Sequence, residues 1–296
     1  MSNSAIDIDY LKTWEGKKQS YTDDMSPFKA KALHCAIDLS GEAFVSPDSG
    51  TDLPLPWHWL YFLDTPTGSN TGTDGHPKTG DFLPPVPLPR RMWAAGSFKC
   101  HTPLKLGVEA VKTSEIGSVE LKQGSTGTLV FVTVLNSISQ AGMLCIEEEQ
   151  NLVYREMPTG PSPMPDGKQP ETPAEWSDTV FPDPVLLFRF SALTFNGHRI
   201  HYDRQYAINE EFYPGLVVHG PLQALLLANS IALNNPNSLI DTFKFRAIRP
   251  VFDSKPLQIC GVSAEQNVTL WTKGDDGFIG MTAKSTVVAK RVNNNV

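Results

Sequence analysis

The segment FNGHRIHYD, residues 195–203, holds the side chains best suited to acid–base chemistry in this 296-residue chain. His198 and His201 stand three residues apart, and Asn196 stands two residues before the first of them. An imidazole titrates near neutral pH, so either histidine could carry a proton. The alternative is a structural role at a polar turn. A zinc site needs a third or fourth ligand, and no partner pair with ligand-like spacing occurs in the sequence, so we expect no metal.

Downstream of this segment, the motif HGP at residues 219–221 begins a predicted helix. Proline is favoured at the first helical position. The apolar residues that follow at helical spacing are Leu222, Leu225, Leu226 and Leu233. A short helical stretch is also predicted near residues 203–211.

Strand-like runs lie on both sides of a proline-rich segment. The first set is Leu106–Ile116, Thr128–Ser139 and Met143–Tyr154, separated by turns that contain Gly117, Gly124, Gly127 and Gly142. The second set is Val185–Ala192 and the regions near 239–248, 256–272 and 277–290. Their β-branched residues and alternating polarity predict antiparallel meanders of long strands.

The proline-rich segment, residues 157–184, contains eight prolines. Because proline removes a backbone donor and fixes φ, this composition excludes a regular helix or a central strand. We interpret the segment as a surface linker that divides a first domain, residues 1–156, from a second domain, residues 185–296.

The two halves repeat weakly. An F-x4-P spacing occurs at residues 98–103 and again at 245–250, near the start of each meander. The segment that begins GMLCI at 142 has a counterpart in GFIGM at 277, and the two share their internal spacing. The correspondence predicts two copies of one helix-plus-antiparallel-sheet unit.

The run FSALTFNGHRIHYDRQYA, followed by PGLVVHGPL, resembles the hydratase segment of the MaoC-like, double hot-dog enoyl-thioester hydratases. The pieces WHWLYF, DGHP and FLPPVPLPRRMWAAG resemble the subgroup that hydrates mesaconyl-C4-CoA (3-methylfumaryl-CoA) or itaconyl-CoA. The resemblance extends from about Tyr10 to about Lys290. It implies an α+β double hot-dog fold, in which two antiparallel sheets, each wrapped around a central helix, pack side by side into a continuous sheet.

The resemblance also implies roles for individual residues. His201 falls on the catalytic histidine of the pattern, and Asp203 on an aspartate that we expect to cap the next helix. Asn196 falls on the catalytic aspartate, which is a departure because an amide cannot usefully accept a proton. We therefore expect His201 to act as the base and Asn196 to hold the water. His198 would carry a second proton or orient the water.

The helix that begins at Gly220 could supply the remaining chemical group. The N-terminus of a helix favours negative charge, so the backbone N–H of Gly220 would form an oxyanion hole for the thioester. Coenzyme A would be part of the substrate, and no cofactor is expected.

Arginine is the residue type suited to the anionic parts of such a substrate, because its forked donors match phosphate and carboxylate. The candidates are Arg90, Arg91, Arg199 and Arg249, with Arg199 the first choice for a free acyl carboxylate because it lies inside the motif. Solvated charges or structural ion pairs are the alternative for each of them. The residues WHW at 57–59 could stack on adenine or pack in the core.

The acidic runs and the overall composition point to a solvated surface. We expect the three glutamates at 147–149 to lie at a solvated strand edge, and the pair at 210–211 at a solvated helix end. A net charge of −7 argues against nucleic acid as the main partner. Without a long apolar run or a targeting segment, a soluble, cytoplasmic protein and a possible homo-oligomer are expected, with no membrane partner.

The functional hypothesis is hydration of a branched C5 dicarboxylic enoyl-CoA, mesaconyl-C4-CoA or itaconyl-CoA, to citramalyl-CoA. One alternative is a 3-hydroxyacyl-thioester dehydratase of the fatty-acid type. The other is a hot-dog protein that binds acyl-CoA without turning it over, because Asn196 replaces the aspartate of the pattern.

Overall fold

The computed structural model of the chain describes residues 6–38, 47–124, 127–164 and 166–290. Residues 1–5 and 291–296, at the outer ends of the two predicted domains, lie outside the described residues. No helix in the described part of the chain is long and apolar enough to cross a membrane.

Ten strands form one antiparallel sheet. They are β1 (Lys18–Asp23), β2 (Arg90–Cys100), β3 (Ala110–Gly124), β4 (Gly127–Gln140), β5 (Met143–Arg155), β6 (Trp176–Val180), β7 (Ser238–Ala247), β8 (Leu257–Ala264), β9 (Asn267–Lys273) and β10 (Ile279–Ala289). The helices are α1 (Ile8–Lys12), α2 (Pro27–Ala36), α3 (Pro184–Leu193), α4 (Arg204–Asn209) and α5 (Gly220–Asn234). Short 3-10 helices occur at Trp57–Leu60, Gly68–Asn70 and Arg199–His201.

The order of strands across the sheet repeats. It runs β1-β3-β4-β5-β2 and continues β7-β10-β9-β8-β6, so that each half of the chain uses the same connection pattern. The halves meet where β2 pairs with β7. Phe98 on β2 and Phe245 on β7, which share the F-x4-P spacing, therefore occupy equivalent strands, and so do the two glycine-initiated segments on β5 and β10. The strand order agrees with the predicted duplication.

Helix α5 occupies the centre of the second half. The helix packs against β7, β8, β9, β10 and β2, and the ten residues from Leu222 to Ile231 are all buried. Burying a leucine side chain is worth roughly 1.5–3 kcal/mol, so this apolar helix organises the core. Two of its buried side-chain oxygens accept hydrogen bonds: Gln223 accepts from Thr272, and Asn229 accepts from the wholly buried Trp57. The core-packing interpretation of residues 57–59 holds for Trp57.

The predicted strand Val185–Ala192 is wrong, because this run forms helix α3. Asp183 caps the helix by accepting the backbone N–H of Leu186 at 2.7 Å, and Pro184 occupies its first turn. A short apolar run does not distinguish a buried strand from a helix by its periodicity. The capping residues that decide between them lie within the segment interpreted as a linker. That segment also contains β6, an edge strand that proline permits.

Two strand boundaries also differ from the prediction. Gly117 lies inside β3, where it marks a bulge between Ile116 and Ser118, and not in a turn. The run predicted near 256–272 is two strands, β8 and β9, because the chain turns at Glu265 with a φ of 55°.

Two of the glutamates expected to be solvated are buried. Glu148 points inward from β5, a strand between β4 and β2, whereas Glu147 and Glu149 alternate outward. Glu148 accepts hydrogen bonds from Trp59 and Asn136. Glu211 is also buried, with 5% of its surface exposed. A buried carboxylate requires such partners, which the sequence pattern did not identify.

Candidate active site

The motif segment forms a tight loop between α3 and α4. Phe195 adopts a φ of 50°, and the backbone N–H of Asn196 donates to the carbonyl of Ser191 at 2.8 Å. Asp203 caps α4 by accepting the N–H of Tyr206 at 3.1 Å, as the sequence predicted. The loop is therefore closed by local hydrogen bonds at both ends.

His201 is held as a neutral base. Its Nδ1 lies 2.7 Å from the carbonyl oxygen of Val217. Because a carbonyl only accepts, Nδ1 must carry the proton, and the lone pair is on Nε2. Burial lowers the pKa of His201 well below its ordinary value, and the neighbouring His219 and His198 lower it further. The imidazole is thus unprotonated at neutral pH.

His219 packs against His201 in the same cluster. Its ring stacks on that of His201, with centroids 3.7 Å apart and planes tilted by 19°. Its Nε2 lies 2.8 Å from the hydroxyl of Ser191. Burial lowers the pKa of His219 to about 3. The next residue, Gly220, begins α5, and a Cβ added there would lie 3.4 Å from the carbonyl oxygen of Trp93.

His198 packs edge to face against His201, with ring centroids 5.4 Å apart. Its Nε2 is 3.8 Å from a carboxylate oxygen of Glu211. The other oxygen of Glu211 lies 2.8 Å from Nε of the buried Arg90, which also donates to the hydroxyl of Tyr213. A buried carboxylate therefore faces the histidine cluster, balanced by a buried guanidinium.

A second carboxylate reaches the cluster from the first half of the chain. The ring of His76 lies 4.0 Å from that of His198 between centroids. Nδ1 of His76 is 2.8 Å from Asp74, whose other oxygen accepts the backbone N–H of His76 at 3.0 Å. Burial raises the pKa of the Asp74 carboxyl, but the hydrogen bonds and charge of His76 outweigh it and hold that pKa below the usual range. Asp74 is therefore ionised. With His76, four of the seven histidines of the chain lie in this cluster.

Two glycines allow the segment with Asp74 and His76 to approach the motif loop. A Cβ added to Gly75, whose φ is +90°, would lie 1.8 Å from the carbonyl oxygen of Gly197. A Cβ on Gly197 would lie 2.5 Å from the carbonyl oxygen of Gly75. The backbone N–H of Arg199 donates to the carbonyl of Asp74 at 2.9 Å, which fastens the two segments together.

Asn196 shapes the loop through its carboxamide. Its Oδ1 accepts the backbone N–H of His198 at 3.0 Å, which closes a turn over two residues. One lone pair of this oxygen is therefore used by the protein, and the oxygen can accept one further hydrogen bond.

Three of the four candidate arginines are bound to carboxylates. Arg199 pairs with Asp203 at 2.8 Å and donates to the carbonyl of Thr73, and Arg249 pairs with Asp276. Arg90 pairs with Glu211, as described above. Arg91 forms no ion pair with any residue that the structure describes. A role in substrate binding stays a prediction for all four, and only Arg91 has its charge uncommitted.

The donor atoms of Asp74, His76 and His198 lie within 4.8 Å of one another and could together hold a divalent cation. Sequence spacing does not predict that these three residues lie together, because Asp74 and His76 lie more than a hundred residues before His198. In the arrangement described, the hydrogen bond between Asp74 and Nδ1 of His76 leaves Nε2 of that ring as the free nitrogen. The expectation of no metal stays a prediction.

The sequence contained one signal for this pair. The tetrapeptide DGHP, residues 74–77, is one of the segments that carry the family resemblance. An aspartate two residues before a histidine can accept from both the backbone and the ring, as it does here. Spacing alone did not indicate that the pair would face the motif loop.

Two solved structures share this fold. A MaoC-like dehydratase from Phytophthora capsici superposes with a TM-score of 0.69, at 11% identity, over 96% of this chain and 99% of that one. A Mycobacterium tuberculosis protein with a double hotdog fold superposes with a TM-score of 0.56, at 11% identity, over 93% and 96%. These likenesses show the double hot-dog fold, and the predicted α+β class is confirmed.

The family follows from sequence. Residues 56–253 match the hydroxyacyl-thioester dehydratase type 2 family, Htd2, and the chain belongs to it. The mesaconyl-C(4)-CoA hydratase of Chloroflexus aurantiacus is 44% identical over 271 residues, which cover 91% of this chain and 95% of that protein. The predicted resemblance to MaoC-like hydratases is confirmed.

The contact between Gly75 and Gly197 predicts a sharp effect of one methyl group. Gly197→Ala should push the two segments apart, because its Cβ would lie 2.5 Å from the carbonyl oxygen of Gly75. A displacement of about 1 Å at a catalytic group can reduce turnover by roughly a hundredfold. The measurement is kcat/KM on the thioester that the wild type turns over. Gly68→Ala is the matched control, because a Cβ there meets nothing within 4 Å. Equal activity of both variants would contradict the role of this contact.

Stability should fall as pH drops below about 6.5, the ordinary pKa of histidine. An unfolded imidazole binds a proton below that pH, whereas folded His219, with a pKa of about 3, and His201, with a lowered pKa, do not. Acid therefore favours the unfolded chain, by up to about 1.4 kcal/mol per pH unit and group.

Urea denaturation near pH 7.5 and pH 5.5 measures this loss. In His219→Gln the loss should be smaller by about 1 kcal/mol, because one buried neutral imidazole is removed. An equal loss in both proteins would mean that His219 does not resist protonation in the folded state.

Proposed function

We propose that this protein hydrates a branched C5 dicarboxylic enoyl-CoA, mesaconyl-C4-CoA or itaconyl-CoA, to citramalyl-CoA. The observation that carries the proposal is the buried neutral His201, whose protonated Nδ1 is fixed by Val217 so that Nε2 is a base. The similarity to a mesaconyl-C(4)-CoA hydratase supports the substrate class. The acyl-CoA thioester is the partner that the proposal requires, and coenzyme A enters as part of it.

The first step is the addition of water to the β-carbon of the enoyl thioester. His201 Nε2 takes a proton from the water while its oxygen forms the new C–O bond. General-base catalysis of this kind contributes about 10²–10⁴-fold. Asn196, through the free lone pair or the amide N–H groups of its carboxamide, holds the water in line with the double bond.

As the C–O bond forms, the π electrons move onto the thioester oxygen. The N-terminus of α5 supplies the backbone N–H of Gly220 for this developing charge. One such donor is worth about 3–4 kcal/mol of barrier. The mechanism needs a double bond conjugated with the thioester, which mesaconyl-C4-CoA has and itaconyl-CoA lacks. Mesaconyl-C4-CoA is therefore the preferred substrate in this proposal.

The reaction is complete when a proton is transferred to the α-carbon. His198 is the nearest second carrier in sequence, and His76 packs against it with its Nδ1 hydrogen-bonded to Asp74. Burial lowers the pKa of His76 to about 3, although its hydrogen bond to Asp74 opposes the fall, so the ring is neutral at rest. The ionised Asp74 stabilises the ring while it is protonated, so the pair can accept a proton and return it to the α-carbon. Asp74 would thus do from the first half of the chain what an aspartate at position 196 does in the family pattern.

The reverse reaction is a second candidate activity. The family is described by its dehydratase activity on hydroxyacyl thioesters, and removal of water uses the same groups in the opposite order. A fatty-acid type dehydratase would prefer unbranched monocarboxylic chains, which makes the acyl group the discriminating feature. A binder without turnover is the other alternative, and a base with a fixed tautomer favours catalysis over it.

Comparing mesaconyl-C4-CoA, itaconyl-CoA and crotonyl-CoA as substrates tests the proposal. The wild type should be fastest on mesaconyl-C4-CoA. His201→Gln should reduce kcat by about 10²–10⁴-fold, because the base is lost. His101→Gln, at an exposed histidine of the first half, is the control and should retain activity. Unchanged turnover in His201→Gln would refute the site, and a wild type inactive on all three would favour the binding protein.

Removing the second proton carrier should slow return of the proton to carbon. We expect His76→Gln to reduce kcat by about 10- to 100-fold, with a smaller change in KM. Exchange of the α-hydrogen of citramalyl-CoA with D2O should slow in parallel. Asp74→Asn removes the charge that supports His76, so its pH profile should shift while its melting temperature changes little. Exchange at the wild-type rate in both variants would exclude the pair from proton transfer.

A further inference from the structure

A pocket of about 350 Å³ lies beside the histidine cluster, with His76 in its wall. Its charged lining consists of Arg91, Lys78 and Asp74. The carboxylate of Asp74 is hydrogen-bonded to His76, and the two cations Arg91 and Lys78 outnumber it, so the lining is positive on balance. Apolar side chains complete the wall, among them Val86 and Leu88. The pocket therefore suits a small group that is part anionic and part aliphatic.

Arg91 and Tyr154 face this pocket together. The two residues are directly opposite each other where β2 pairs with β5, so their side chains lie on the same face of the sheet. Arg90, the preceding residue, points the other way and is held by Glu211. Within the described residues Arg91 has no carboxylate partner, although it is half-buried and lines the pocket.

The hydroxyl of Tyr154 is an unusual group at this place. Only 2% of the residue is exposed, and its oxygen has no hydrogen-bond partner among the residues that the structure describes. A buried polar group without a partner costs about 1–3 kcal/mol. Burial raises the pKa of this phenol, and the charge of Arg91 and the approach of its guanidinium to the hydroxyl oppose the rise. The phenol therefore keeps its proton and can donate it to an acceptor.

We propose that Arg91 and Tyr154 bind the free carboxylate of a dicarboxylic acyl group, and so select it over monocarboxylic acyl groups. The inference rests on the proposed function and names the groups that set its substrate class. Guanidinium and phenol together offer donors to both carboxylate oxygens. The methyl branch would pack on Val86 and Leu88.

The chemistry of hydration requires such a site close to the base. In mesaconyl-C4-CoA the free carboxylate is attached to the carbon that receives the hydroxyl group, so its binding site must adjoin the proton-transfer groups. Arg91 lines the same pocket as His76, whose ring packs against His198, and His198 in turn packs against His201.

The phosphates of coenzyme A offer the same anionic oxygens to Arg91. Two saturated thioesters distinguish binding of the acyl carboxylate from binding of the phosphates. Methylsuccinyl-CoA, with its methyl group and free carboxylate on the carbon β to the thioester carbonyl, differs from isovaleryl-CoA only in having a carboxylate where the latter has a methyl group. Both carry coenzyme A, and neither can be hydrated, so binding is measured independently of turnover.

Calorimetric titration of both thioesters into the wild type and the variants Arg91→Met, Arg91→Lys and Tyr154→Phe tests the inference. Arg91→Met should weaken binding of methylsuccinyl-CoA by about 10- to 100-fold, since a hydrogen bond to a charged group is lost. Binding of isovaleryl-CoA should change less than about threefold. Arg91→Lys should be intermediate, because it keeps the charge without the fork. Arg246→Met, at an exposed arginine of β7, is the matched control and should bind both like the wild type.

Equal loss for both thioesters in Arg91→Met would assign the arginine to the phosphates and overturn the inference. Unchanged binding of methylsuccinyl-CoA in both Arg91→Met and Tyr154→Phe would overturn it as well. The proposed function fails separately, if the wild type binds methylsuccinyl-CoA through Arg91 and hydrates no enoyl-CoA. Melting temperatures of all variants identify any loss of binding that comes from unfolding.

Discussion

The candidate site depends on one backbone contact, the approach of Gly75 to Gly197. No side chain fits between these two segments, since a Cβ on either residue would collide with the carbonyl of the other. The contact brings an aspartate and a histidine from the first half of the chain against a loop of the second half. Without it, the motif loop would present His201 and His198 but no carboxylate from the first half.

This contact matters because the site gathers titratable groups in a buried place. Burial disfavours charge on an imidazole, which keeps His201 and His219 neutral and the base available. The two nearby carboxylates are each tied to a cationic or donor group, Asp74 to His76 and Glu211 to Arg90. The arrangement keeps four imidazoles and two carboxylates within one packed cluster. Such groups would otherwise be costly to bury.

The sequence predicted the elements whose signals are local. Alternating polarity predicts the strands around β4 and β5. Helical spacing predicts the start of α5 at Gly220, and capping chemistry predicts the cap at Asp203. The motif loop is also held by local hydrogen bonds. The short spacing of its asparagine and two histidines therefore predicts that they lie close together. The duplication was visible as faint matches, because each half had to build the same sheet.

Only the tertiary structure decided which side chains from distant segments complete the site. Packing across both halves places Asp74 and His76 beside the motif loop and turns Glu211 inward. It also pairs Arg90 with Glu211 and turns Arg91 to the other face of the sheet. Residue type and spacing encode backbone preference within a few residues, so they predict local elements. The partner of a charge is set by the surfaces that meet when the sheet closes. Sequence therefore predicted His201 and its loop, and the fold decided which carboxylates lie beside the histidine cluster.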